Sequence, residues 1–375
     1  MDRELIPKIQ VDLKRKMVLV SGPRQAGKTT LARMLASNVE YFNYDNPDDH
    51  LLLKEKSWKR KTDLLILDEL HKMKNWKSWL KGVYDTEGIH PPIIVTGSAK
   101  MNISRKMGDS MAGRYFHYTL HPFTLKELKG KLDAGKAFRL LLSVGGFPEP
   151  FLTEDLTFYK RWKRTHLDII LRQDLLDFDT VRNIKSIEIL VSLLKKRVGS
   201  QISYNSLARD LDCDPKTVKR WLEILENLYV VFKVSPYHRN VARSLLKEPK
   251  YYFFDTGQVE GDNGVKMENV IAASLLRECH FLRDTKGIAA ELYYLRTKDG
   301  REVDFLIVLD GQPTQMIESK WKSNNVSPGL NHFKKYFPEV KRIQLVHNLA
   351  REKQYPDGLF VLDAIPWLTD MPICE

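Results

Sequence analysis

"KMVLVSGPRQAGKTTLARMLA", residues 16–36, decides how the front of this chain folds. Met17 to Ser21 has the length and apolar character of a short buried strand. Gly22-Pro-Arg-Gln-Ala-Gly27-Lys28-Thr29 follows and fits the phosphate-loop pattern in full. A helical pattern begins near Lys28. Glycines let backbone N–H groups wrap phosphate oxygens, and the start of the helix aims its positive dipole end at them. In that arrangement Lys28 reaches the β- and γ-phosphates and Thr29 holds Mg²⁺. Gly22, Gly27 and Thr30 belong to the same nucleotide-binding set.

"DLLILDELHK", residues 63–72, supplies the second half of such a site. Leu64 to Leu67 form an apolar strand, with Asp68 and Glu69 at its carboxyl end, where open parallel sheets bind ligands. Asp68 suits Mg²⁺ through water, and Glu69 suits the base that polarises an attacking water. "PPIIVTGSAK", residues 91–100, reads as a third buried strand that brings Thr96 and Ser98 towards a γ-phosphate. Arg114 stands just past a glycine. It is placed either as a finger on a neighbouring copy's nucleotide or as the partner of a local acid.

Residues 131–185 alternate apolar and charged positions at helical spacing and read as a helical lid, with Trp162 and Leu167 as core. In "SQISYNSLARDLDCDPKTVKRWLEILENLYVVFKVSPY", residues 200–237, Ser203 and Asp214 are placed to cap two successive helices. Pro215 suits the first position of the second. Val218, Trp221, Leu222 and Leu225 face inward, leaving Lys216, Thr217, Lys219 and Arg220 outside near that helix's start. This is the pattern of a helix-turn-helix reader of DNA. Two strands follow, and the loop between them carries His238, Arg239, Arg243 and Lys247, as in the wing of a winged helix. The same architecture also serves for docking proteins, and Asp210, Asp212 and Asp214 would repel phosphate if they faced it.

Beyond residue 257 a helix pattern carrying Glu268 precedes three strands, "AELYYLRTKDG", "REVDFLIVLDG" and "QMIESKW". Their turns are marked by Asp299-Gly300 and Asp310-Gly311. Asp304 lies on the second strand, and Glu318 and Lys320 lie on one face of the third. Such a set either decorates a solvated hairpin or forms a metal pocket. In the pocket reading Glu268, Asp304 and Glu318 ligate Mg²⁺, while Lys320 lowers the pKa of the attacking water or stabilises developing charge.

The chain has 375 residues, long enough for two to four domains, and 43% of them are apolar. A formal net charge of +12 favours a polyanionic partner, nucleic acid or an anionic membrane. No apolar run approaches a membrane span, and the charged first residues do not form a signal-peptide core. Cys213, Cys279 and Cys374 are isolated, without metal-ligand spacing, which fits a reducing cytoplasm.

The ordered set "GPRQAGKTT", "LILDELHK", "VTGS", Ala112-Gly113-Arg114 with Leu120, Phe123 and Glu127, and "GGFPEP" (Gly145 to Pro150) resembles a prokaryotic AAA+ ATPase family. Its members carry a C-terminal domain of unknown function (DUF4143). The resemblance implies ATP and Mg²⁺ as ligands and a ring-forming homo-oligomer. The C-terminal set resembles the PD-(D/E)xK nucleases of the restriction-endonuclease-like fold, with Val303 where the pattern has proline. The expected architecture is therefore α/β. It comprises a P-loop core (1–130), a helical lid (131–185), a winged helix (186–257) and a nuclease-like domain (258–375). The expected function is ATP hydrolysis coupled to DNA binding, with a metal-dependent endonuclease activity in the last domain. The alternative is a nucleotide-gated switch that binds a protein partner and keeps that domain inactive.

Overall fold

The computed structural model describes residues 1–98, 111–174, 183–238, 248–322 and 325–373. The chain divides into two compact units, Met1–His121 and Pro122–Glu375.

The first unit is built on a five-stranded sheet. Its strands are β1 (Met17–Ser21), β2 (Val39–Asn43), β3 (Leu64–Asp68), β4 (Ile93–Gly97) and β5 (Tyr115–Thr119). The order is β2-β3-β4-β1-β5, and every pair is parallel. Every residue of β1, β3 and β4 is buried. A parallel sheet covered on both faces demands such continuous apolar runs. The register sets Val20 beside Thr96 and Asp68 beside Thr96. The carboxyl ends of β1, β3 and β4 are therefore level, and the glycine loop leaves β1 at that edge.

The segments expected as lid, winged helix and nuclease-like domain lie together in the second unit and share one core. The helices Ala134–Val144 and Pro148–Thr153, expected as part of a lid, place Ala137, Phe138, Leu141 and Phe151 in the unit's main core. That core also holds Leu222, Ile271 and Leu368, from segments assigned to the other two domains. Helices Ile184–Lys195, Tyr204–Asp210 and Pro215–Asn227 come next, then the antiparallel pair β6 (Val231–Pro236) and β7 (Lys250–Phe253). Asp214 caps its helix by accepting from the Lys216 N–H at 2.7 Å, whereas Ser203 makes no side-chain cap.

A 24-residue helix, Asn263–Lys286, leads into β8 (Ala290–Arg296), β9 (Glu302–Leu309) and β10 (Gln312–Lys320). Then follow the helix Pro328–Lys334, β11 (Lys341–Val346), β12 (Lys353–Gln354) and β13 (Leu359–Asp363). Asp310 and Gly311 both take positive φ, which turns β9 into β10 with the twist a tight hairpin needs. Helical spacing alone puts Val270, Ala273, Ser274 and Leu276 near the inner side of the long helix. Val270 and Ser274 are buried, but Ala273 and Leu276 are only partly so. The deepest side chains are Met267, Ile271, Ala272 and Leu275, because the helix packs between the sheet and the helix Ala134–Val144.

The strands form one eight-stranded sheet, ordered β12-β13-β11-β10-β9-β8-β6-β7. Its continuity sets the segments on either side of residue 257 in one compact unit. β6 runs parallel to β8, with Ser235 beside Tyr293 and Pro236 beside Tyr294.

"GGFPEP" acquires a packing reason here. Gly145 has φ +74° and ψ −171°, a region that essentially only glycine occupies. A Cβ there would stand 2.0 Å from Asp255 Oδ1. Asp255 is itself buried and accepts from the Tyr159 hydroxyl at 2.9 Å. Gly145→Ala should destabilise the second unit by roughly 1–3 kcal/mol. Urea unfolding measures it, and an unchanged midpoint would remove this contact from the fold's requirements.

Candidate functional site

The nucleotide-site residues gather at the carboxyl edge of the first sheet. Gly22 has φ +153°, and a Cβ on it would come within 2.2 Å of Leu120 O. Only glycine lets the loop lie that close to the end of β5. Gly27 precedes the helix Lys28–Arg33 in the left-handed region. Lys28 is buried and donates to Gly22 O at 3.0 Å and Pro23 O at 2.7 Å. Thr30, on the same helix, is exposed and turned away from the loop's interior. Arg3, outside the expected set, is buried and donates to Ala26 O and His121 O, tying the loop to the chain beyond β5. Nothing in the local sequence marked it.

Asp68 is the centre of this edge. Its carboxylate accepts from the Thr29 hydroxyl at 2.6 Å, the Tyr41 hydroxyl at 3.0 Å and the Thr96 hydroxyl. Tyr41, also missed, comes from the end of β2, where no motif points to it. Burial and the neighbouring Asp68 push its phenol up to about 12. Ser98 donates to Glu69 Oε2 at 3.2 Å, and His71 Nδ1 stands 3.5 Å from the same oxygen. Glu69 itself has φ +53°, an uncommon backbone for a residue with a side chain. Thr29 and Asp68 together offer the hard hydroxyl and carboxylate oxygens that suit Mg²⁺.

Arg114 pairs with a local acid. Its Nε donates to Asp85 Oδ1 at 2.7 Å and its guanidinium also reaches Oδ2 at 3.2 Å. It precedes β5, whose Tyr115 lies beside Met17 at the start of β1. Arg114 is thus at the opposite end of the strands from the glycine loop.

The second unit brings the acidic set together, with one unexpected member. Lys250, on β7, is 1% exposed. Its Nζ lies 3.6 Å from Glu268 Oε1 and 3.7 Å from Asp304 Oδ1, and closer still to Glu302. Glu302 also pairs with Arg296 at 2.5 Å. The Tyr252 hydroxyl donates to Glu268 Oε1 at 2.7 Å. Asp304 Oδ2 accepts the Ser319 N–H at 2.9 Å, and Glu318 Oε2 accepts the Asp304 N–H at 3.3 Å. Glu318 Oε1 accepts from Lys320 at 2.8 Å and from the Ser327 hydroxyl at 3.0 Å.

The metal reading of Glu268, Asp304 and Glu318 expected an ion at their centre; the Lys250 ammonium stands beside Glu268 and Asp304, and that of Lys320 beside Glu318. Among the described residues no group of three or more His, Cys, Asp or Glu side chains is arranged to hold a metal ion. The donor set as folded does not fit a divalent cation, since most of its oxygens already accept from N–H, O–H and ammonium donors. Burial pulls the Lys250 ammonium down, but Glu268, Asp304 and Glu302 outweigh it and hold it above its ordinary value. Burial, then the charge of Asp304, pushes both Glu268 and Glu318 up to about 7.

On the helix Pro215–Asn227, Lys216, Lys219 and Arg220 are exposed and Thr217 is half-buried, while Val218, Trp221, Leu222 and Leu225 are buried. Asp210 pairs with Arg197 at 2.8 Å. Arg239, Arg243 and Lys247 of the expected wing lie outside the described residues, as does Cys374. Cys213 and Cys279 are free thiols. Among the described residues no helix is long and apolar enough to cross a membrane.

Three family models match in sequence. Residues 14–129 match an AAA domain, 135–260 a domain of unknown function (DUF8612) and 263–367 a domain of unknown function (DUF4143). The front of the chain is an AAA-type P-loop domain. An uncharacterized protein of Mycobacterium tuberculosis is 26% identical over 307 residues, covering 79% of this chain and 68% of that protein. One from Methanocaldococcus jannaschii is 24% identical over 367 residues, covering 88% and 80%.

Solved structures align weakly. A signal-transduction ATPase with a tetratricopeptide repeat sensor from Pyrococcus horikoshii aligns with TM-score 0.31 and 16% identity, over 76% of this chain and 45% of that one. A DNA replication initiation factor aligns with TM-score 0.29 and 15% identity, over 60% and 86%. Likeness at that level adds nothing to the geometry above.

The raised carboxyls set a pH dependence. Between their ordinary value of 4.5 and about 7, folded Glu268 and Glu318 keep protons that the unfolded chain has released. The folded state binds more protons there, so stability falls as pH rises through that window. Glu268→Gln should make the fall shallower in unfolding curves taken across it. A slope unchanged in both Glu268→Gln and Glu318→Gln would place the dependence elsewhere.

Proposed function

We propose that this chain binds ATP with Mg²⁺ and hydrolyses it, and that its second unit binds DNA. The observation that carries the first part is the bond between the Thr29 hydroxyl and Asp68 at the edge where the glycine loop leaves the sheet. The AAA-domain match over residues 14–129 supports it. Mg²⁺, when bound with ATP, neutralises charge developing on the phosphates. Lys28 binds the phosphate oxygens with its ammonium, and the loop N–H groups orient them. Thr29 and Asp68 hold the ion's side of the nucleotide. Glu69, steadied by Ser98, accepts a proton from the attacking water at its carboxylate. Arg114 lies away from its own loop, so a finger role would be exercised on the nucleotide of a second copy.

Lys28→Ala should weaken ATP binding by roughly 1.5–3 kcal/mol, the scale of one lost charge-assisted contact. Glu69→Gln should bind ATP as wild type does and lose turnover. Phosphate release and nucleotide titration measure the two, and wild-type turnover in Glu69→Gln would move the base to another residue.

The DNA reading is supported by three exposed cations near the start of a helix whose other face is buried, followed by a hairpin. That order is the one a winged helix uses to present a recognition helix. Affinity should fall with salt at a log–log slope near −0.9 per phosphate neutralised. Lys219→Ala with Arg220→Ala should flatten the slope by up to about 2. No change in slope or affinity would favour the rival, a nucleotide-gated switch that binds a protein. The order of the helix Asn263–Lys286, β8, β9, β10, the helix Pro328–Lys334 and β11 supports a nuclease-like fold. The setting of Lys250 favours a scaffold over a metal-dependent endonuclease.

A further inference from the structure

We infer that Lys250 is the resident cation of the C-terminal pocket and stands where a nuclease-like site would hold a divalent ion. The inference rests on the pocket's own geometry and is independent of the nucleotide and DNA readings. Three carboxylates, from Glu268, Glu302 and Asp304, surround Nζ within ion-pair distance. They come from one helix and one strand, and without a cation they would repel one another in a buried space. Either a metal or an ammonium relieves that repulsion. This chain supplies the ammonium covalently.

The pocket leaves no room for both. A divalent ion takes carboxylate oxygens at about 2.0–2.6 Å. An ion drawing on Glu268 Oε1 and Asp304 Oδ1 would be pressed against the ammonium that those same oxygens flank at 3.6 and 3.7 Å. Several oxygens of the set also accept from other donors. Asp304 Oδ2 is held by Ser319, Glu268 Oε1 by Tyr252, and both oxygens of Glu318 by Lys320, Ser327 and the Asp304 N–H.

Lys250 is also held in place. Its residue bridges to Gln201, and its strand pairs with β6. Its Nζ lies 5.4 Å from the centre of the Tyr294 ring. The backbone pairing fixes where the side chain starts, and the three carboxylates hold its ammonium in the pocket.

The test is Mn²⁺ titration of the nucleotide-free full chain, read as free Mn²⁺ by electron paramagnetic resonance. Wild type and Asp304→Asn should bind Mn²⁺ alike, because Asp304 contributes to no ion site while Lys250 is present. Lys250→Gln should gain a site, with affinity raised by about tenfold or more as carboxylate oxygens are released. Adding Asp304→Asn to Lys250→Gln should abolish that gain. Mn²⁺ should also raise the melting temperature of Lys250→Gln and leave that of wild type unmoved. A wild-type site lost in Asp304→Asn overturns the inference, even if Lys250→Gln fails to fold. A folded Lys250→Gln that gains no site overturns it too.

Discussion

An ammonium buried at 1% exposure is tolerable only when neighbouring charges answer it. Lys250 meets that condition with Glu268, Glu302 and Asp304, and in doing so binds three parts of the second unit to one point. β7 brings the lysine, the long helix brings Glu268, and β9 brings the other two. Removing the lysine would leave three acids facing one another without the cation they share. The pairing also specifies register, since sliding β9 by one residue would turn Glu302 and Asp304 to the other face. Conformational specificity gives such a costly arrangement a reason to persist.

The two sites answer the same electrostatic problem differently. At the edge of the first sheet, Asp68 is met by three neutral hydroxyls, from Thr29, Tyr41 and Thr96. Hydroxyls rotate and exchange partners, so this carboxylate can give up a bond to an arriving ion. In the second unit the acids are met by the Lys250 and Lys320 ammonium groups and by backbone N–H groups, beside the hydroxyls of Tyr252 and Ser327. Charged donors carry much of the balance at the second site and none of it at Asp68.

The first site was legible because its logic is local. Gly22 to Thr29 and Asp68 to Glu69 each sit in one strand-to-loop junction, and a parallel sheet with buried central strands sets those junctions side by side. Tyr41 and Arg3 were not legible, because each reaches the site only through strand order and loop closure. In the second unit, alternation on β9 and β10 correctly placed Asp304, Glu318 and Lys320 on a common side. The partner that decides their chemistry lies 18 residues before Glu268 and opens a strand, "KYYFF", whose pattern reads as plain core. The packing of the segments expected as lid, winged helix and nuclease-like domain into one core was not legible, for a related reason. Nothing in the pattern of β6 says that it continues a sheet begun after the long helix.

The parallel pairing of β6 with β8 has a bearing on how this chain behaves when cut. Strands β6 and β7 shield one flank of β8, whose other flank is taken by β9. A fragment beginning near residue 258 would lose that cover and free the backbone groups of β8 around Tyr293 and Tyr294. Open edges of this kind recruit strands from other molecules and lead to aggregation. It would also strip Lys250 from the acids it neutralises. The hairpin thus completes the sheet for the strands that follow. Cleavage between them would part the pocket's acids from their lysine and β8 from its neighbour.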